Sequence, residues 1–190
     1  MLRVCGVLLL LGSGILGWAR AADPAEVPAS SAYDIDPVHS ALIFRVKHMG
    51  VGYFHGRFNG VKGTFTLGQG VDVEVDAASV DTAIKDRDDH LRGPDFLDVK
   101  QFPSIRFKSA KLEAKGDNLR ITGELTLHGV TKPLTVEAER VGAGKDPKGN
   151  FRMGWETVFT IKRAEFGITY GPDALSDEIR ITLAVEGIRR

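Results

Sequence analysis

Residues 119–135 read Leu-Arg-Ile-Thr-Gly-Glu-Leu-Thr-Leu-His-Gly-Val-Thr-Lys-Pro-Leu-Thr. Apolar Leu119, Ile121, Leu125 and Leu127 alternate with Arg120, Thr122, Glu124, Thr126 and His128. A period of two puts one set of side chains on each face of a strand. Gly129 permits a reversal at positive φ, and Leu134, Val136 and Ala138 then resume the alternation, so the segment predicts a β-hairpin with one buried face.

The same pattern recurs on both sides. Upstream, Tyr33 to Asp36 is a short strand stopped by Pro37, and Leu42, Phe44, Val46 and His48 share one face of the next. Gly50 to Gly56 reads as a connection. From Arg57 to Leu67 the alternation changes phase at Gly60, the mark of a bulge or sharp bend, and Val71, Val73 and Val75 form the following strand, so these first strands are expected to pair as hairpins. Ile105 and Phe107, then Trp155 to Ile161, then Ile179 to Val185 carry the pattern to the end. The total is about nine strands at hairpin spacing, which leaves an all-β barrel or a sandwich open. Between Ser79 and Pro103 the alternation stops, for longer than an ordinary connection. Asp86 is placed to cap a helical turn through Leu91, and Gly93-Pro94 to open another through Leu97, with Leu91, Phe96, Leu97, Val99 and Phe102 as apolar anchors. The stretch predicts a helical flap across one end of the sheet.

A chain of 190 residues suits one domain. Met1 to Ala21 has the secretory-signal pattern: Arg3, an apolar run from Val4 to Leu16 and a small-residue ending at Ala19-Arg20-Ala21. Residues 22–32, rich in Ala, Pro, Ser and acid, read as a disordered spacer, and 33–190 as the folded domain. Removing Arg3 and Arg20 with the leader leaves 23 basic against 25 acidic residues, a balance without the electrostatic footprint of a nucleic-acid binder. Cys5 falls within the leader, so the mature chain has no thiol for disulfides, nucleophilic catalysis or metal binding.

Candidate chemistry is sparse. His39, His48 and His55 have a spacing that puts no two of them on one helical turn or on alternate positions of a strand, so a metal site would have to be assembled by tertiary structure. His39 and Ser40 fit the closing of the Pro37 turn through backbone hydrogen bonds. His48 has two readings, a satisfied core histidine or a polar contact to a ligand. Arg87-Asp88-Asp89-His90 combines carboxylates with a histidine, but neighbouring residues of a helix point apart and no nucleophile accompanies them. Arg87 either ties the flap down through a carboxylate such as Asp95 or meets an anionic head group, and His90 and Arg163 carry the same two readings. Phe44, Phe58, Phe65, Phe107, Trp155 and Phe159 fall on alternating apolar positions, so they are either ordinary core or the wall of a cavity.

Several strings, in order, carry a resemblance. Asp36-Pro37-Val38-His39-Ser40 with Phe44 and His48, Gly56-Arg57-Phe58, Arg87-Asp88-Asp89-His90-Leu91 with Asp95-Phe96, Phe102-Pro103 with Phe107 and Ser109, Gly123 to Gly129 with Thr131-Lys132, and Arg163 with Phe166-Gly167 resemble the YceI-like polyisoprenoid-binding proteins from about Tyr33 to Gly187. The resemblance implies an all-β, extended lipocalin-like antiparallel β-barrel of about eight strands with a short helical flap. It also implies a periplasmic protein, a non-catalytic binder of an isoprenoid, a quinone or a similar amphiphile, and homodimers. The apolar wall and mouth would then be Phe44, Val46, Phe54, Phe58, Phe65, Leu91, Phe96, Phe102, Phe107, Trp155, Phe159 and Ile161. Head-group contacts would come from His48, Arg87, His90 and Arg163, with no metal and no cofactor besides the bound lipid. Two rivals stand beside this expectation: a metal- or acid–base-dependent enzyme using the histidines or the Arg87 to His90 segment, and a solid barrel whose edges bind a protein.

Overall fold

The computed structural model describes residues 30–190, so the leader and nearly all of the spacer lie outside the described residues. The alternating segments form eleven strands: β1 (Ala32–Ile35), β2 (Ala41–His48), β3 (Gly52–Phe58), β4 (Val61–Thr66), β5 (Gly70–Asp76), β6 (Val80–Asp81), β7 (Ser104–Lys115), β8 (Asn118–Leu127), β9 (Val130–Lys145), β10 (Phe151–Lys162) and β11 (Leu175–Arg189). All pairings are antiparallel. The order β1-β4-β5-β7-β8-β9-β10-β11 closes into a ring of eight because β11 also pairs with β1. The long β11 pairs first with β2 through Leu175–Ala184 and then with β1 through Gly187–Arg189, so the Pro37 turn only steps the chain along one neighbour. Closure removes the free edges of those eight strands, and β2, β3 and β6 branch from β11 beside the ring.

The opening hairpin is as expected. Leu127 faces Val130, and His128 and Gly129 form the two-residue turn with φ of 50° and 74°. Within it, Gly123 is required by packing. A Cβ there would lie 2.3 Å from the Lys108 carbonyl oxygen and 2.8 Å from the Phe107 ring, beside the bulge where the β7–β8 register shifts.

Three sequence expectations are corrected. Gly50 to Gly56 is not merely a connection, since Gly52–Phe58 is β3 and pairs with Leu42–His48 of β2. Its alternation is hidden by Gly56, which sits opposite Phe44 because that ring occupies the place of a Cβ, 2.3 Å away. Arg57 to Leu67 is divided at Asn59-Gly60 into two strands, and Val80–Asp81 adds a short one against β3. In the flap, one helix forms, α1 (Lys85–Arg92). Its N-cap is Ile84 with no side-chain bond, so Asp86 does not cap it, and the chain after Gly93 makes turns instead of a second helix. Side chains fix the flap from within. Asp88, buried, accepts from the Thr82 amide at 2.8 Å and hydroxyl at 2.5 Å, and Arg92 donates to the carbonyls of Ala78 and Val80.

The end of the barrel at β1 is plugged. Tyr33 and Phe65 stack at 4.6 Å, and Gly187 leaves the room that Phe65 fills. Just outside the plug, Arg152 donates to Asp36 at 2.7 Å, Glu186 at 2.6 Å and Asp146 at 2.9 Å. The His39 ring lies 2.8 Å from Asp36. Hydrogen bonds from His39 and then Arg152 hold the Asp36 carboxyl down to about 2. A carboxylate depressed in the folded state adds stability that is complete above its unfolded value near pH 4 and is lost as the pH falls through about 2. For Asp36 the contribution is on the order of 2 kcal/mol. Urea melts between about pH 5 and pH 2 should therefore show a loss of stability smaller by that amount in Asp36→Asn. Identical pH dependence in the two proteins would contradict the assignment.

Candidate functional site

Inward-facing residues of a barrel come from every second position of each strand, so the alternation that makes the strands also decides what the interior is made of. Here the packed interior leaves space unfilled. Three cavities follow one another along the barrel. The first, about 130 Å³, is bounded by residues such as Phe44, Phe58, Leu125, Ile161 and Ile181. A middle one of about 50 Å³ shares Leu42, Ile105, Leu125 and Phe159 with the first. A far one of about 60 Å³ shares Val73, Phe107, Val136, Thr157 and Leu183 with the middle one. Strand β11 lines all three through Ile179, Ile181, Leu183 and Val185. Its regular stretch from Ile179 to Val185 covers about 20 Å at 3.3 Å per residue, after a bulge between Leu175 and Ile179. Apolar cavities of about 150 Å³ stay dry and accept a ring-sized apolar guest, so the first cavity is already of that order.

The wall is almost free of polar groups. Thr157 spends its hydroxyl proton on the Glu137 carbonyl at 2.7 Å, so it presents no free donor. Trp155 lines the far cavity, and its indole N–H has no acceptor among the described residues. The only charged side chain of the first cavity is Arg163, which is 4% exposed. Its guanidinium donates to the carbonyls of Ser176 (3.1 Å), Ile168 (3.1 Å), Tyr170 (2.7 Å) and Leu175 (3.2 Å). Arg163 is thus a bolt that holds the 168–176 segment at the mouth, its guanidinium spent on backbone carbonyls.

Beyond the first cavity lies an outer cleft of about 510 Å³ framed by α1, the β2–β3 hairpin and the 170–175 segment. Phe54, Leu91, Phe96 and Leu175 border both, so these four side chains stand between cleft and cavity. His90, Phe96 and Tyr170 form a mutual edge-to-face cluster with centroid separations of 5.0–5.2 Å. The His90 ring lies 2.9 Å from Asp95. Arg87 sits over the Phe54 ring at 5.0 Å and donates to the Thr82 hydroxyl and carbonyl, so its anchor is Thr82 and not Asp95. His48 is exposed on the rim of the cleft, not in the core.

Of the residues singled out from sequence, Phe44, Val46, Phe54, Phe58, Leu91, Phe96, Phe159 and Ile161 meet around the first cavity. Phe65, Phe107 and Trp155 surround the far one, and His48, Arg87 and His90 line the outer cleft. Phe102 does neither. It packs 4.6 Å from the His128 ring, over Gly129, because the chain leaving the flap passes beneath the β8–β9 turn. His39, His48 and His55 are not brought together: His39 is by the plug, His48 ends β2, and His55 faces Arg45 in the β2–β3 pair. Asp36, His39 and Glu186 do converge within 4.8 Å, but the Arg152 guanidinium already bonds both carboxylates and occupies the place a cation would take. Sequence reasoning missed Tyr170 and Thr82. Both stand where no periodic pattern exists, and nothing local distinguishes them.

Comparison with known proteins agrees with this geometry. The family described as YceI-like domain matches residues 33–187. A UPF0312 protein of Pseudomonas aeruginosa is 41% identical over 200 residues, covering 100% of both chains. Among solved structures, a Campylobacter jejuni YceI protein aligns with a TM-score of 0.66 at 28% identity, over 76% of this chain and 90% of its own. A polyisoprenoid binding domain from Saccharophagus degradans aligns with a TM-score of 0.70 at 17% identity, over 84% of this chain and 99% of its own. At that identity the second likeness bears on the fold alone.

Proposed function

The chain belongs to the YceI-like family, and from that premise we propose that it is a carrier that encloses the apolar chain of an isoprenoid lipid, a quinone or a similar long amphiphile. The observation that carries this reading is the series of neighbouring apolar cavities that share wall residues along β11, with the outer cleft beyond the first of them. Each methylene moved from water into such a wall gains about 0.8 kcal/mol, so a long chain needs few polar contacts to be held. The polar end would stay in the outer cleft among His48, Arg87 and His90. The ligand class rests on the family resemblance and on the apolar lining. The cavities are narrow, so a prenyl chain enters by turning rings such as Phe44 and Phe107 aside. The lining offers no nucleophile beside a base, which favours a binder over a catalyst. Export to the periplasm and pairing as a homodimer belong to the same proposal and rest on the leader pattern and on the family resemblance.

Thermal melts in prenyl alcohols of increasing length test the reading. A ligand that binds the folded state at a hundred times its dissociation constant stabilises by about 2.7 kcal/mol, so the melting temperature should climb with concentration and with chain length up to the capacity of the channel. A melting temperature indifferent to every prenyl and fatty chain would reject it.

A further inference from the structure

The tip of the β2–β3 hairpin is built against local preference. His48 to Val51 is a two-residue turn closed by the bond from the Val51 amide to the His48 carbonyl at 3.0 Å, with φ of 50° at Met49 and 71° at Gly50. Asn, Asp or Gly ordinarily holds the first of these positions, because a bulky side chain at positive φ is strained. Met49 is nonetheless there, 65% exposed, and Val51 beside it is 90% exposed. Scattered apolar residues on a surface are ordinary, but two together on one projecting tip are a patch that asks for a partner.

Position and charge narrow the partner. The tip stands on the lip of the channel: Val51, Gly52 and Tyr53 line the outer cleft, and the Met49 amide bonds the Ala174 carbonyl across it at 2.7 Å. Half-exposed Tyr170 faces the same cleft. The hairpin itself is basic, while the facing segment brings the exposed Asp173, Asp177 and Glu178, so the cationic stretch is confined to the hairpin. From Pro37 to Val71 the sequence has no acidic residue, while Arg45 and Lys47 lie over the Tyr53 ring at 4.1 and 5.8 Å, just behind the tip. An apolar tip backed by cations matches a bilayer with anionic head groups, whose surface attracts basic residues and whose interior accepts apolar ones.

We infer that the Met49-Gly50-Val51 tip docks the protein on an anionic lipid surface and sets the channel mouth against the bilayer, so that a lipid chain passes inward without crossing water. This rests on the carrier reading for its purpose, but the docking itself can be measured separately. The experiment compares the wild type with the Met49→Asn, Val51→Ser double variant, in which asparagine suits the turn and keeps the hairpin, as an unchanged melting temperature would verify. Wild type is expected to float with phosphatidylglycerol-containing vesicles, at least tenfold less with phosphatidylcholine vesicles, and at least tenfold less as the double variant. Uptake of a fluorescent prenyl alcohol from the anionic vesicles should slow at least tenfold in the double variant and severalfold in Met49→Asn alone, whose affinity for the same probe free in solution stays within twofold because Met49 is not part of the cleft lining. Equal flotation of variant and wild type, or no flotation on any vesicle, overturns the inference. So does docking on native membrane vesicles that is abolished by protease treatment, which would make the partner a protein. Tip-dependent flotation without any probe uptake would leave the docking standing and remove the carrier reading, and probe binding without flotation would do the reverse.

Discussion

Replacing Ile105 by tryptophan is expected to abolish the binding of long prenyl chains while leaving the barrel folded. Ile105 sits on β7 where the first and middle cavities share their wall, and it is only half-buried although it faces inward, because open space lies in front of it. An indole there fills the junction and confines a ligand to the outer part of the channel. Losing the burial of four methylenes costs about 3 kcal/mol, which corresponds to a fall in affinity of about a hundredfold or more. The overpacking itself costs about 1–3 kcal/mol of stability, so the variant should still fold and melt cooperatively. Short chains that reach only the first cavity should lose much less, and Ile105→Val should bind nearly as wild type does. Titrations with a chain-length series read the effect directly. Undiminished affinity for the longest chain in the tryptophan variant would mean that the chain does not follow this path.

Arg163→Ala should be the most destabilising single substitution near the mouth. The guanidinium satisfies the carbonyls of Ile168, Tyr170, Leu175 and Ser176 in a setting where Arg163 is 4% exposed, and its removal leaves those acceptors without a donor. An orphaned buried polar group costs about 1–3 kcal/mol. Water reaching part of the opened segment offsets some of that, so a net loss of about 3–5 kcal/mol is expected. Lysine should recover only part of it, because a single ammonium does not span four carbonyls as a planar fork does. Hydrogen exchange over residues 168–176 should accelerate far more than over the β8–β9 hairpin. A variant that melts as wild type does, with unchanged exchange in that segment, would contradict the role assigned to Arg163.

What could be read in advance follows from how local each cause is. The alternation of β5, β8, β10 and β11 is written in consecutive residues, and so is the positive-φ turn at Gly129. Strand β3 was hidden because Gly56 serves a ring on the neighbouring strand, a requirement that no window around Gly56 contains. Closure depends on Tyr33 meeting Arg189, at opposite ends of the domain, and only the family resemblance supplied it beforehand. Whether Phe44, Phe107 and Trp155 form a solid core or a wall depends on volumes summed across eight strands, so residue type alone left both readings open. Phe102 and Tyr170 show the same limit at the mouth. Both are aromatic residues in unpatterned segments, and only the path of the chain sends one under the β8–β9 turn and the other into the cleft.

The carrier reading is tested most directly by purifying the protein from the membrane-enclosed compartment to which its leader pattern points, under conditions free of detergent. Native mass spectrometry of the intact protein is followed by organic extraction and identification of what is released. The account predicts one long-chain amphiphile per barrel, lost from the Ile105→Trp variant. A wild-type protein that carries no lipid, and that takes up none when presented with prenyl and fatty chains, would contradict it.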